Sequence, residues 1–130
     1  MNANYKLTCA VIAGLALGVA GATAIYAQQG KVAPAYLIAD VEITDPTTFQ
    51  KYVSGLPATL APFNGRYLVR AGRTVTLESS DPPKRVVVIA FDSMEKALGW
   101  FDSPAYEAIK PIRHSSAKSR AFFVEGVVPE

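Results

Sequence analysis

A chain of 130 residues with 13 basic and 11 acidic side chains carries a formal net charge of +2. That length fits one domain, and so even a balance lacks the clustered basic surface by which nucleic acid is held, so no nucleic-acid partner is expected. The single cysteine, Cys9, leaves neither a disulfide nor a cysteine metal site for the residues that follow it.

Met1 to Lys6 is polar with one positive charge, and residues 7–25 run apolar or small without any charge. Ile25-Tyr26-Ala27 then gives way to Gln28-Gln29-Gly30-Lys31. A basic start, an apolar middle and a small residue before a polar stretch describe a secretory signal. The expected division is a signal peptide at 1–27, a linker at 28–33 and one domain at 34–128. Cleavage falls after Ala27, with Ala22-Thr23-Ala24 as the alternative. The same apolar run is about long enough to span a bilayer. A membrane partner is therefore expected only if the segment stays uncleaved; otherwise the domain is periplasmic or secreted.

Ala35 to Ile43 alternates as a strand does, with Leu37, Ala39, Val41 and Ile43 on one face. Tyr36, Ile38, Asp40 and Glu42 take the other. Asp45-Pro46 starts a helix, because the carboxylate caps free N–H groups and proline needs none at the first position. Phe49, Tyr52, Val53 and Leu56 then recur at helical spacing and form one buried stripe. Pro57 kinks or restarts the helix, which ends near Phe63 before an Asn64-Gly65 turn.

Arg66 to Arg70 reads as the second strand, bent by Ala71-Gly72 into an extension from Thr74 to Glu78. Arg85 to Phe91 reads as the third strand, and its Val86-Val87-Val88-Ile89 run is apolar on both faces, the mark of an interior strand. Asp92 and Glu95 have capping-box spacing, and Met94, Ala97, Leu98 and Phe101 form the core stripe of the helix they open. Ser103-Pro104 starts a short helix expected to stop before Pro111. A polar connection from Ile112 to Lys118 leads to a last strand from Ser119 to Val127.

The order βαββαβ is an α+β, ferredoxin-like plan, a four-stranded antiparallel sheet with helices on one face. Phe122 and Val124 leave the other face apolar, and no segment remains to cover it. A homodimer through that open sheet face is therefore expected.

Gly65-Arg66-Tyr67-Leu68-Val69-Arg70, Pro83-Lys84-Arg85-Val86-Val87-Val88-Ile89, Phe91-Asp92-Ser93 and Trp100 through Ser103-Pro104-Ala105-Tyr106 together carry a resemblance. The sequence resembles the DUF1330 family, small bacterial proteins of unassigned function. The resemblance implies a dimeric α/β barrel, in a superfamily with cofactor-free monooxygenases, small-molecule isomerases and haem-degrading enzymes. It supplies no catalytic residues. Ala71 stands where that family commonly has glycine, and Phe101 where tyrosine often follows the tryptophan.

The candidate ligand-binding residues are Tyr36, Arg66, Arg70, Trp100, Tyr106, Arg113 and His114. Trp100 lies at the margin of its helix stripe and Tyr106 follows in the next helix, so both suit a cavity wall. Arg66 and Arg70, four apart, are expected on one face of their strand, where planar guanidinium groups match a carboxylate. Arg113 follows the short helix. His114, the single histidine, suits proton transfer. No metal, cofactor or phosphate-loop motif is present. Two functions follow: a protein binding a small apolar or aromatic acid between helices and sheet, or a cofactor-independent monooxygenase or isomerase using His114 or Tyr36.

Overall fold

The computed structural model describes residues 31–130. The expected signal peptide and the first half of the linker lie outside the described residues. Ala33–Glu130 forms one compact unit. Strand β1 (Ala35–Ile43) leads to helix α1 (Pro46–Leu60), a 3-10 turn (Ala61–Phe63) and strand β2 (Arg66–Arg70). Strand β3 (Val86–Phe91), helices α2 (Met94–Phe101) and α3 (Pro104–Ser116) and strand β4 (Ala117–Glu125) complete the order. The strands lie β2-β3-β1-β4 with antiparallel pairing throughout, which is the ferredoxin-like arrangement.

Local chemistry sets each boundary. The Asp45 carboxylate accepts from the Thr48 N–H at 3.2 Å and from the Thr48 hydroxyl at 2.6 Å. Those bonds hold its pKa below the ordinary value and close the first turn of α1. Pro57 lies inside α1 without ending it. Asn64 takes a left-handed backbone, φ 52°, and the Gly65 N–H reaches the Leu60 carbonyl at 3.2 Å. A Cβ on Gly65 would sit 2.7 Å from Leu60 and 2.9 Å from Phe91, so close packing demands glycine there.

Three expectations need correction. Residues 74–78 form no strand: Val75 and Leu77 alternate correctly, but no strand among the described residues lies beside them, and Leu77 is 90% exposed. Ser93, not Asp92, caps α2, its hydroxyl accepting from the Lys96 N–H at 3.1 Å. Asp92 instead accepts from Asn64 at 2.9 Å and from Arg66 at 3.1 Å. Helix α3 runs through Pro111 to Ser116, where a polar connection was expected. Pro111 lies on the exposed side of α3, where water can meet the carbonyl that its missing N–H frees.

The register divides the sheet into two faces. Leu37, Ala39 and Val41 of β1 share the inner face with Val87 and Ile89 of β3 and Ala121 and Phe123 of β4. This face meets the helices through Phe49, Tyr52, Leu56, Trp100 and Tyr106. The outer face carries Tyr36, Ile38, Asp40, Val86, Val88, Arg120, Phe122 and Val124. Phe122 and Val124 remain 47% and 43% exposed.

Candidate functional site

A cavity of about 60 Å³ lies between the inner face and the helices. Its closed end is aromatic. Trp100, fully buried, stacks against Tyr106 with ring centroids 4.1 Å apart and against Phe91 at 5.5 Å. The stripe of α2 is thus centred on Ala97 and Trp100, while Leu98, expected in the core, is 47% exposed. Helix α2 spans only two turns, and the rings of Phe91 and Tyr106 fix which side of it faces inward.

Burying an indole N–H requires a partner. The Trp100 Nε1–H donates to the Thr59 hydroxyl at 3.0 Å, and that hydroxyl donates onward to the Leu56 carbonyl at 2.7 Å. The tryptophan is therefore fixed by a satisfied polar chain that joins α2 to α1. Beside it the hydroxyls of Tyr52 and Tyr106 lie 3.2 Å apart, buried. Burial raises the Tyr52 pKa far above its ordinary value of 10, and Tyr106 adds to the rise while the Arg113 charge partly opposes it.

The open end is cationic. Arg70 at the end of β2, Arg85 just before β3 and Arg113 on α3 all line the cavity. Arg70 lies over the Tyr67 ring, 4.9 Å from its centroid, and Arg85 lies 5.7 Å from the Phe49 centroid. Burial raises the Tyr67 pKa, and the charges of Arg70 and Arg85 pull it back down. Among the described residues, none of the three arginines has a carboxylate within salt-bridge distance. The Nε atoms of Arg85 and Arg113 are shielded from water and have no hydrogen-bond partner. Neutral aromatic walls and guanidinium groups without a carboxylate partner suit an organic anion.

The candidate residues thus separate. Trp100, Tyr106, Arg70 and Arg113 come together around the cavity. Arg66 does not: it pairs with Asp92 at 3.1 Å on the surface. Arg66 and Arg70 do not share a face, contrary to expectation, because β2 is bulged. Tyr67 pairs with Ile89 and Val69 with Val88, so Leu68 is an extra residue in the ladder. Without such a bulge alternation would place both arginines outside; with it Arg70 turns inward beside Val87. Tyr36 lies on the outer face, where its ring packs on Gly126, close enough that a Cβ there would lie 2.5 Å from it. His114 is exposed, and its Nε2 lies 3.2 Å from the Arg113 guanidinium, outside the cavity lining.

Sequence reasoning missed Arg85, Tyr67 and Tyr52 as site residues. The signal for Tyr52 was present, since a phenol in the otherwise apolar stripe Phe49-Tyr52-Val53-Leu56 needs a buried partner. Among the described residues no cluster of His, Cys, Asp and Glu side chains could hold a metal ion. No helix among them is long and apolar enough to cross a membrane.

Solved structures share this fold at low identity. A protein of unknown function from Rhodopseudomonas palustris superposes with TM-score 0.63 at 13% identity, over 81% of this chain and 93% of that one. SnoaB, a cofactor-independent oxygenase from Streptomyces nogalater, gives 0.52 at 12% identity, covering 74% and 95%. A dimeric ferredoxin-like protein of unknown function from Thermobifida fusca gives 0.51 at 18%, covering 72% and 92%. No curated protein matches the chain. The model of a domain of unknown function, DUF1330, matches residues 34–127, nearly all of the compact unit. This chain is a member of the DUF1330 family.

Proposed function

We propose that the domain binds a small apolar or aromatic acid in the helix–sheet cavity and works, after export, as a homodimer. One observation carries the binding reading: two water-shielded guanidinium nitrogens, on Arg85 and Arg113, line an aromatic cavity without a partner. A buried donor left unpaired costs roughly 1–3 kcal/mol, and an acid group entering between the arginines would remove that cost. Trp100 is the single tryptophan, so its emission is a direct readout. Titration with benzoate and hexanoate is expected to shift Trp100 fluorescence with saturation. A flat response to both at millimolar concentration would end this reading.

Self-association draws on the outer face. Ile38, Val86, Val88, Phe122 and Val124 form an apolar strip, and Asp40 and Arg120 are register partners beside it. A twofold axis would set each acidic side chain against the basic side chain of a second copy. The Thermobifida fusca relative is described as dimeric, which supports the same arrangement here. Analytical ultracentrifugation should give twice the protomer mass at micromolar concentration. Export rests on the N-terminal signal pattern and is tested by fractionating cells that express the full chain.

The alternative is a cofactor-independent oxygenase or isomerase. The buried Tyr52–Tyr106 hydroxyl pair, rather than His114 or Tyr36, would carry that chemistry, because phenols kept neutral can donate to a developing oxyanion. Oxygen uptake with a hydroxylated aromatic, lost in Tyr52→Phe, would support that reading.

A further inference from the structure

We infer that the cavity selects a dianion, a short aliphatic dicarboxylate, with one carboxylate held by Arg70 and Arg85 and the other by Arg113. The inference rests on the acid-binding reading above and adds the charge and length of the ligand.

Charge balance is the first argument. Three arginines line one cavity, and no acidic residue among those described lines it; three carboxylates that stand elsewhere are already engaged. Asp40 accepts from the backbone N–H groups of Lys84 and Arg85, at 2.9 and 3.1 Å. Asp92 pairs with Arg66, and Glu107 with Lys110. A ligand with a single carboxylate would cover all three cations while neutralising one. Covering a charge without neutralising it is costly. Two carboxylates leave a single positive charge at a rim that still meets water.

The second argument is placement. Arg70 and Arg85 come from the sheet wall: Arg70 pairs in register with Val87, and the Arg85 carbonyl accepts from the Val41 N–H at 3.0 Å. Arg113 comes from the helical wall. Their influence on the tyrosines divides in the same way, Arg70 and Arg85 acting on Tyr67 and Arg113 on Tyr52. Each wall contributes one shielded, unpartnered Nε. There are thus two carboxylate stations, one per wall, and planar guanidinium groups favour carboxylates held edge-on. A cavity of about 60 Å³ has room for a few water-sized groups, which fits a short methylene chain between the stations better than a ring.

The test compares adipate with hexanoate, equal in carbon number and differing by one carboxylate, with the full chain at low ionic strength and Trp100 emission as readout. Adipate is expected to bind at least about tenfold more tightly, a gap of about 1.4 kcal/mol. Both Arg85→Gln and Arg113→Gln should reduce that ratio to near one. Arg113→Lys, which keeps the charge, should retain part of it. Equal affinity for the two acids would overturn the dianion inference while leaving acid binding intact, as would a ratio unchanged in both glutamine variants. Inorganic phosphate competing with adipate at equal concentration would overturn the dicarboxylate assignment in favour of simple anion charge. Binding of neither acid would overturn the acid-binding reading itself.

Discussion

The two faces of one sheet meet opposite fates. The inner face closes under the helices, and Phe91 and Ile89 of the sheet and Trp100 of α2 end fully buried there. The outer face, drawn from the same strands one residue out of phase, keeps Phe122 and Val124 about half exposed. The difference teaches that hydrophobicity alone does not make a core. Covering segments do, and α1, α2 and α3 can cover only one side.

The sharpest way to break this comparison is to truncate one aromatic on each face. Trp100→Ala is expected to cost about 3–5 kcal/mol, since it empties a filled interior and removes the indole N–H that donates to the Thr59 hydroxyl. Phe122→Ala should leave the helical circular dichroism signal intact and instead lower the sedimenting mass toward a single protomer. Loss of fold in both variants would mean that the outer face is core after all.

A smaller effect is expected from Thr59→Val, which preserves shape but leaves the buried indole N–H of Trp100 without an acceptor. Urea denaturation should register a loss of about 1–3 kcal/mol. Wild-type-like stability would mean that water reaches the indole.

Tyr52 sharpens the comparison through pH. Its folded pKa lies above the unfolded value near 10, chiefly through burial. The stability tied to its proton is therefore whole below pH 10 and is lost as pH climbs beyond that value. Tyr52→Phe should cost about 1 kcal/mol at neutral pH. It should also flatten the decline of the urea midpoint between pH 10 and 12. An unchanged decline would assign the alkaline sensitivity to other groups.

The smallest effect belongs to Ala71, which holds a left-handed backbone at φ 56°. Ala71→Gly should relieve roughly 1 kcal/mol of that strain and return part of it to the freer unfolded chain. A modest rise in melting temperature is expected; a fall would show that the methyl group packs usefully.

Much of the fold was legible in the sequence because β1, α1 and β3 obey simple periods. Regular neighbours on both sides hold β1 in register, so its alternation matches its faces. The caps at Asp45 and Ser103 stood in the sequence with their prolines. The site was less legible, and β2 explains why. It is an edge strand with one neighbour, free to bulge, and no residue type announces Leu68 as the extra one. The face of Arg70 was lost with it. Arg85 was hidden differently: alternation aligns it with Val87 and Ile89 on the inner face, yet a cation at the start of a strand ordinarily reaches water. Pro111 misled because the lost hydrogen bond falls on the exposed side of α3, where water can serve the freed carbonyl and the helix continues to Ser116.

The bulge at Leu68 also governs how relatives should be aligned. A chain lacking that one residue would straighten β2 and still direct the equivalent of Arg70 toward the cavity. A chain that keeps the residue but pairs it regularly would present valine there and send the guanidinium outside. Matching by column would rank the first as altered and the second as intact, whereas matching by the side on which each residue emerges reverses that order.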